Sequence, residues 1–182
     1  MIIIIARASV ALLIGPSNAT NTHPMKNPLR ILDGFDRAIL RIIQRDNKTP
    51  QREIAEAVNL SAAAVQRRVA GMEKAGIIRQ NAAIVDTSAV HMAITAIVEV
   101  QLTDERAATV DKAKALFREA PEVQQCYYVT GGISFVLVIL SPDMASYEAI
   151  TRRLFAENDA VVSFRSLIAL DRVKEGAEVM IL

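Results

Sequence analysis

Residues 133–140 read ISFVLVIL, seven apolar side chains around one hydroxyl. Successive side chains of a strand point to opposite faces, so Ile133, Phe135, Leu137 and Ile139 share one face and Val136, Val138 and Leu140 the other. Such a strand needs dry cover on both sides. The surrounding sequence supplies the rest of a sheet. Ile94, Ala96, Val98, Val100 and Leu102 alternate with Thr95, Glu99 and Gln101, as a half-buried strand requires. Val123–Val129 is a second run, joined to Ile133–Leu140 through the hairpin signal Thr130-Gly131-Gly132, and Val161–Leu170 is the last. A helix from Asp104 carries Val110, Ala113 and Phe117 on one side and stops at Pro121. Another, opened by Pro142, carries Met144, Tyr147, Ile150 and Leu154. The order β-α-β-β-α-β over residues 91–182 predicts a ferredoxin-like α+β sandwich with both helices on one face of an antiparallel sheet. The other face is left bare. A second copy of the same sheet is the simplest cover, which predicts a homodimer; an edge loop or the N-terminal segment folding over it is the alternative.

The first half of the chain has a helical period. Asp33 is placed to cap a helix whose apolar stripe is Phe35, Ile39, Ile42 and Ile43, ending near Asp46-Asn47. Thr49-Pro50 then reads as an N-cap followed by proline at the first helical position, opening QREIAEAV with Ile54, Ala55 and Val58 inward. Asn59 occupies the tight turn, where a left-handed backbone is needed and asparagine tolerates it. Ser61 caps a third helix with Val65, Val69 and Met72 as its buried stripe, and Gly76 ends it with Lys74 in the last turn. Ile77–Val85 reads as a short β-ribbon or extended wing. Three short helices with a tight turn before the third, then a wing, predict a winged helix-turn-helix domain over residues 29–86, N-terminal to the sandwich.

Charge divides along the same line. Residues 1–90 hold 12 Lys and Arg against 7 Asp and Glu, and residues 91–182 hold 9 against 13, a split of +5 and −4 inside a net charge of +1. A basic front half points to a polyanionic partner for that half alone. The third helix supplies the chemistry. Its start, Ser61, Ala62 and Ala63, has little bulk, as entry into a major groove roughly 12 Å wide demands. Ser61 and the free N–H groups at the helix start suit a phosphate. Gln66 and Arg67 lie off the buried stripe, Gln66 suited to an adenine edge and Arg67 to a guanine edge or a phosphate. Arg68 has two readings: a further DNA contact, or a turn back to an acidic partner that fixes the helix. Lys48 and Arg52 are expected as backbone contacts. The bland alternative for the whole constellation is a small helical bundle with a solvated charged face.

IAEAVNLSAAAVQRRVAGMEKAGIIR, preceded by LDGFDRAILRIIQRD and followed by the β-α-β-β-α-β unit, resembles the Lrp/AsnC (feast/famine) family of transcriptional regulators from about Leu32 to Leu182. The pattern is LD-x-x-D, then LS-x-x-x-V-x-x-R-V, then M-E-x-x-G-I-I. The resemblance implies dimers joined through the sandwich, often assembled further into octamers. It also implies small-molecule effectors, usually amino acids, bound between dimers near the turn after the second sandwich strand. At that turn the sequence departs from the family. Where Gly-Asp-x-Asp-Tyr/Phe is common, this chain has Gly131-Gly132-Ile133-Ser134-Phe135, and Thr-x-Thr on the last strand is Phe164-Arg165-Ser166. Both acids are missing, and a desolvated ammonium needs them. Thr130, Gly131, Gly132, Ser134 and Ser166 remain as effector-binding candidates. They suit a less cationic or more apolar ligand, a pocket that has lost its ligand, or a plain hairpin.

The competing class is an enzyme of the sirohaem-decarboxylase type, built on the same two domains. It needs imidazole and basic groups around a carboxylated macrocycle, and the chain has only His23 and His91. No Ser/His/Asp set or zinc-ligand cluster is present, so neither catalysis, a metal nor a cofactor is expected; visible absorbance of the purified protein separates the two classes. Residues 1–28 stand outside both domains, and their first part reads as a disordered extension or a start-site artefact. Their apolar run is broken by Arg7 and is shorter than the about 20 residues a membrane span needs, the alternative being a weak targeting segment. A cytoplasmic protein without membrane contact is expected. The single cysteine, Cys126, excludes an intrachain disulfide and reads as a buried small hydrophobe.

Overall fold

The structure, a computed structural model, describes residues 31–182, so the expectation for residues 1–28 lies outside the described residues. The chain divides into two compact units, one ending at Asn81 and rejoined by Glu178–Leu182, the other Ala82–Ala177.

The first unit holds three helices: α1 (Gly34–Ile43), α2 (Gln51–Val58) and α3 (Ala62–Lys74). Asp33 caps α1 through a reciprocal pair with Asp36, each side chain accepting from the other's backbone N–H. Asn59 ends α2 in the left-handed region (φ 55°), and Ser61 caps α3 by accepting from the backbone of Ala64. The core is Ile39, Leu40, Ile54, Ala55, Val58, Val65 and Met72, with Ile42, Ile43, Leu60, Val69 and Ile77 packed around it. Three details differ from expectation. Phe35 is 45% exposed, and Asp36 takes the inward position at 2%. Thr49 does not cap α2, because its hydroxyl donates to the Asp46 carbonyl (2.8 Å); Pro50 stands at the cap without a side-chain bond. Ile77–Val85 forms no β-ribbon: Ile77 and Ile78 bend, and the rest has no regular structure.

The second unit is a four-stranded antiparallel sheet in the order β2-β3-β1-β4, with β1 Ile94–Leu102, β2 Val123–Tyr128, β3 Phe135–Ser141 and β4 Val161–Ile168. Helices α4 (Ala107–Glu119) and α5 (Met144–Thr151) form the crossovers, and α5 runs on into a π turn, Arg152–Ala156. Their apolar sides bury Val110, Ala113, Phe117, Tyr147, Ile150, Leu154 and Phe155 against Ala96, Val98 and Val100 of β1 and Phe135, Leu137 and Ile139 of β3. α4 starts three residues later than expected, because Asp104 folds back to accept from the Arg106 N–H (2.9 Å). Met144 is exposed, so it is not part of the α5 core face. Cys126 is exposed as well, on the edge strand β2; its surroundings nonetheless push the thiol pKa up.

The face of the sheet away from the helices remains bare. Val136, Val138 and Leu140 line its middle, half-buried, beside Ile97 of β1 and Leu167 of β4, which are 38% and 44% exposed. Register places Ile97 beside both Val138 and Leu167, so the apolar row crosses three strands. An Arg165–Glu99 ion pair (2.7 Å) closes one end of it.

Candidate nucleic-acid interface and ligand turn

The α1 and α3 helices are locked by one guanidinium. Arg68 Nη1 lies 2.7 Å from an Asp33 carboxylate oxygen and 2.9 Å from one of Asp36, while its carbon sits 5.4 Å over the Phe35 ring. LD-x-x-D therefore does three jobs: a helix cap, a buried acid and a socket for Arg68. The Asp33 carboxyl is held below the usual carboxylate value, chiefly by the Asp36 backbone N–H and then by Arg68. Of the two readings of Arg68, this geometry is that of the residue turned inward.

With Arg68 turned in, the outward face of α3 is set. Ala63, Gln66, Arg67, Ala70 and Lys74 recur at helical spacing and, Lys74 included, are exposed, while Val65 and Met72 are buried behind them. Ser61, Ala62 and Ala63 form an exposed, slender start. The Ser61 oxygen accepts from Ala64 N–H (3.2 Å), which leaves its own proton to donate. Lys48 is exposed in the loop before α2, its N–H held by Asp46 (2.8 Å). Arg52, exposed on α2, pairs with Glu56 at i+4 (3.1 Å), a weak surface pair. The structure thus brings the α3 residues onto one face, whose outward presentation depends on Arg68.

In the second unit the β2–β3 turn holds Thr130, Gly131 and Gly132, with both glycines at positive φ (113° and 93°). Ser134 follows, buried, accepting at its hydroxyl oxygen from Leu102 N–H (3.0 Å) and donating to Glu105 (2.5 Å). The other Glu105 oxygen accepts from the Tyr128 hydroxyl (2.7 Å), raising that phenol's pKa, and Lys114 lies 4.8 Å over the Tyr128 ring. Ser166 stands apart. Pairing places it beside Val98, itself beside Leu137, so it lies two strands away from β3, where it accepts from Tyr147 (2.5 Å). Thr130, Gly131, Gly132 and Ser134 come together; Ser166 does not join them. Sequence reasoning missed Glu105 and Tyr128, because only strand pairing brings Glu105, three residues past β1, to Ser134 and Tyr128. Among the described residues no three His, Cys, Asp or Glu side chains converge on a point fit for a metal, and no helix is long and apolar enough to cross a membrane.

Comparison with known proteins assigns both units. Residues 32–79 match the model of a winged helix-turn-helix DNA-binding domain, and residues 95–179 match that of the Lrp/AsnC ligand binding domain. The combination defines a DNA-binding transcriptional regulator with a ligand-binding domain. The chain is 41% identical over 143 residues to the HTH-type transcriptional regulator y4tD of Sinorhizobium fredii, covering 79% of this chain and 85% of that protein. A solved AsnC family transcriptional regulator from Agrobacterium tumefaciens is 29% identical, with TM-score 0.77 over 82% of this chain and 97% of the other. A regulator from Neisseria meningitidis, solved as an L-Met complex, is 26% identical with the same TM-score, 0.77, and the same coverage, 82% and 97%. The chain belongs to the Lrp/AsnC family of transcriptional regulators.

Proposed function

We propose that this regulator reads double-stranded DNA with the exposed face of α3. Ala62 and Ala63 let the helix tip approach the bases, Gln66 and Arg67 read base edges, and Ser61, Lys48 and Arg52 hold phosphates. Arg68 is a positioning residue that sets α3 against α1 through Asp33 and Asp36. The observation that carries the reading is a helix start without bulk, continuous on one exposed face with Gln66 and Arg67. The test is titration of a labelled duplex, chosen by selection from genomic fragments, against the full chain and Arg67→Ala. The variant should bind with affinity roughly tenfold to a hundredfold lower, about 1–3 kcal/mol, at unchanged oligomeric state. Equal affinity removes Arg67 from the interface.

The bare sheet face supports a homodimer closed by a second copy of that face. Two heads then address half-sites one helical turn, about 34 Å, or a multiple apart, on a roughly palindromic operator. The setting that fits such a regulator is the cytoplasm. A small effector, an amino acid or related metabolite, is assigned to the β2–β3 turn; that the N. meningitidis relative was solved as an L-Met complex supports an effector of this class. Glu105 supplies there a carboxylate that the turn's own sequence lacks. This supports an ammonium-bearing ligand over the less cationic one that the turn alone suggests. Calorimetry separates the two: heat with amino acids and none with the matching keto acids supports Glu105 as the recognising charge, and the reverse pattern overturns it.

A further inference from the structure

The residues at the very end of the chain fold with the first unit, although the whole second unit intervenes in sequence. Their contacts fall on the C-terminal end of α1 and the turn that follows it. Gln44 uses its amide twice on Val179, donating to the carbonyl (3.1 Å) and accepting from the N–H (3.2 Å). Arg41 donates to the Ile181 carbonyl through Nε (3.2 Å) and Nη2 (3.0 Å). Arg45 faces Glu178 at 3.6 Å, an exposed pair that contributes little. Ile181 packs on the apolar core of the head, whereas Val179, Met180 and Leu182 point outward. Arg41 in the last turn of α1, Gln44 at its C-cap and Arg45 just beyond meet the tail in turn from 181 to 178, so the tail runs antiparallel to the chain there.

We infer that the C-terminal end of α1, from Arg41 to the Gln44 cap, is a binding site for an extended peptide, whose occupant is the chain's own segment Glu178–Leu182. The recognition chemistry is mostly main-chain. Gln44 mimics a neighbouring strand, as an edge strand does for an added peptide, and Arg41 clamps the carbonyl two residues on. The single side chain that the site selects is Ile181, by its apolar contact with the head. Met180 and Leu182 are free to vary. The DNA-reading head is therefore a discontinuous domain, and the last five residues complete it.

The inference is independent of DNA binding, and so is its test. Hydrogen exchange is followed on α1 amides in the full chain, in a chain lacking residues 178–182, and in Gln44→Ala, with β1 and β3 amides as internal reference. Both variants should exchange on α1 roughly tenfold or more faster, with β1 and β3 unchanged. A synthetic pentapeptide of sequence EVMIL, added at millimolar concentration to the truncated chain, should restore slow exchange on α1, and one with aspartate in place of the isoleucine should not. Unchanged exchange on α1 after truncation overturns the inference, as does equal rescue by both peptides. If the truncated chain does not fold, Ile181→Asp in the full chain carries the same comparison.

Discussion

Asp33 and Asp36 lie three residues apart on one helix and meet a single guanidinium from another, and the pH dependence of the head follows from that. The Asp33 carboxyl titrates below its ordinary value of 3.8 in the folded chain, held by the Asp36 N–H and Arg68. A depressed carboxylate contributes stability that is fully present above the unfolded value and is lost as pH falls through the folded one. Helicity of the head should thus be flat from neutral pH down to mildly acid conditions, then fall below about 3.8. Asp33→Asn should flatten that acid limb in a circular dichroism titration; an unaltered limb would remove Asp33 as its source. Arg68→Ala should lower the head's melting temperature by about 5 °C, since two charge-assisted hydrogen bonds to α1 are lost. It should also weaken DNA binding through the displaced α3, whereas Arg67→Ala leaves the melting temperature unchanged. The pattern LD-x-x-D was legible in the sequence, and so were both readings of Arg68. What was not legible is that Phe35 gives up its inward place to Asp36, because a periodic stripe scores a phenylalanine as core and cannot see a guanidinium stacking on its ring.

At the scale of elements, local chemistry read well at Asp33, Asn59 and Ser61, and failed at Thr49 and Asp104, whose side chains bond elsewhere. The left-handed Asn59 that ends α2 and the Ser61 cap of α3 came from residue types with one strong local preference. The β2–β3 turn is of the same kind. A Cβ at Gly131 meets nothing within 4 Å, so the cost of a side chain there is purely the positive φ of 113°. Gly131→Ala should destabilise the sandwich by about 1 kcal/mol in urea unfolding. A neutral alanine would show that the turn relaxes to another form. Non-local features were illegible for a matching reason. Glu105 reaches Ser134 and Tyr128 only because β1 pairs with β3 and β3 with β2, and no local signal encodes that meeting. The π turn at Arg152–Ala156, which sets Arg153 2.7 Å from Glu122, likewise has no sequence mark that we can identify. The Ile77–Val85 wing lacks a partner strand among the described residues, and its apolar residues alone could not decide between ribbon and extended chain.

For the molecule as a whole, the predictions concern assembly and charge. Val138 lies mid-row on the bare sheet face, beside Ile97. If the proposed dimer closes through this face, Val138→Glu should give a monomer in light scattering, while the sandwich keeps its fold, because the residue lies on the side away from the helices. A dimer that survives this change would place the interface elsewhere. Binding to duplex DNA should fall steeply with salt, and removing one phosphate contact such as Lys48 should lower the log–log slope by about one for each head. The two halves also differ in what they can report. All three tyrosines, Tyr127, Tyr128 and Tyr147, belong to the sandwich, and the chain has no tryptophan. Ultraviolet emission is consequently blind to the DNA-reading half, while far-ultraviolet dichroism sees both. Heating a single sample under the two kinds of light separates the melting of head and sandwich without attaching any label.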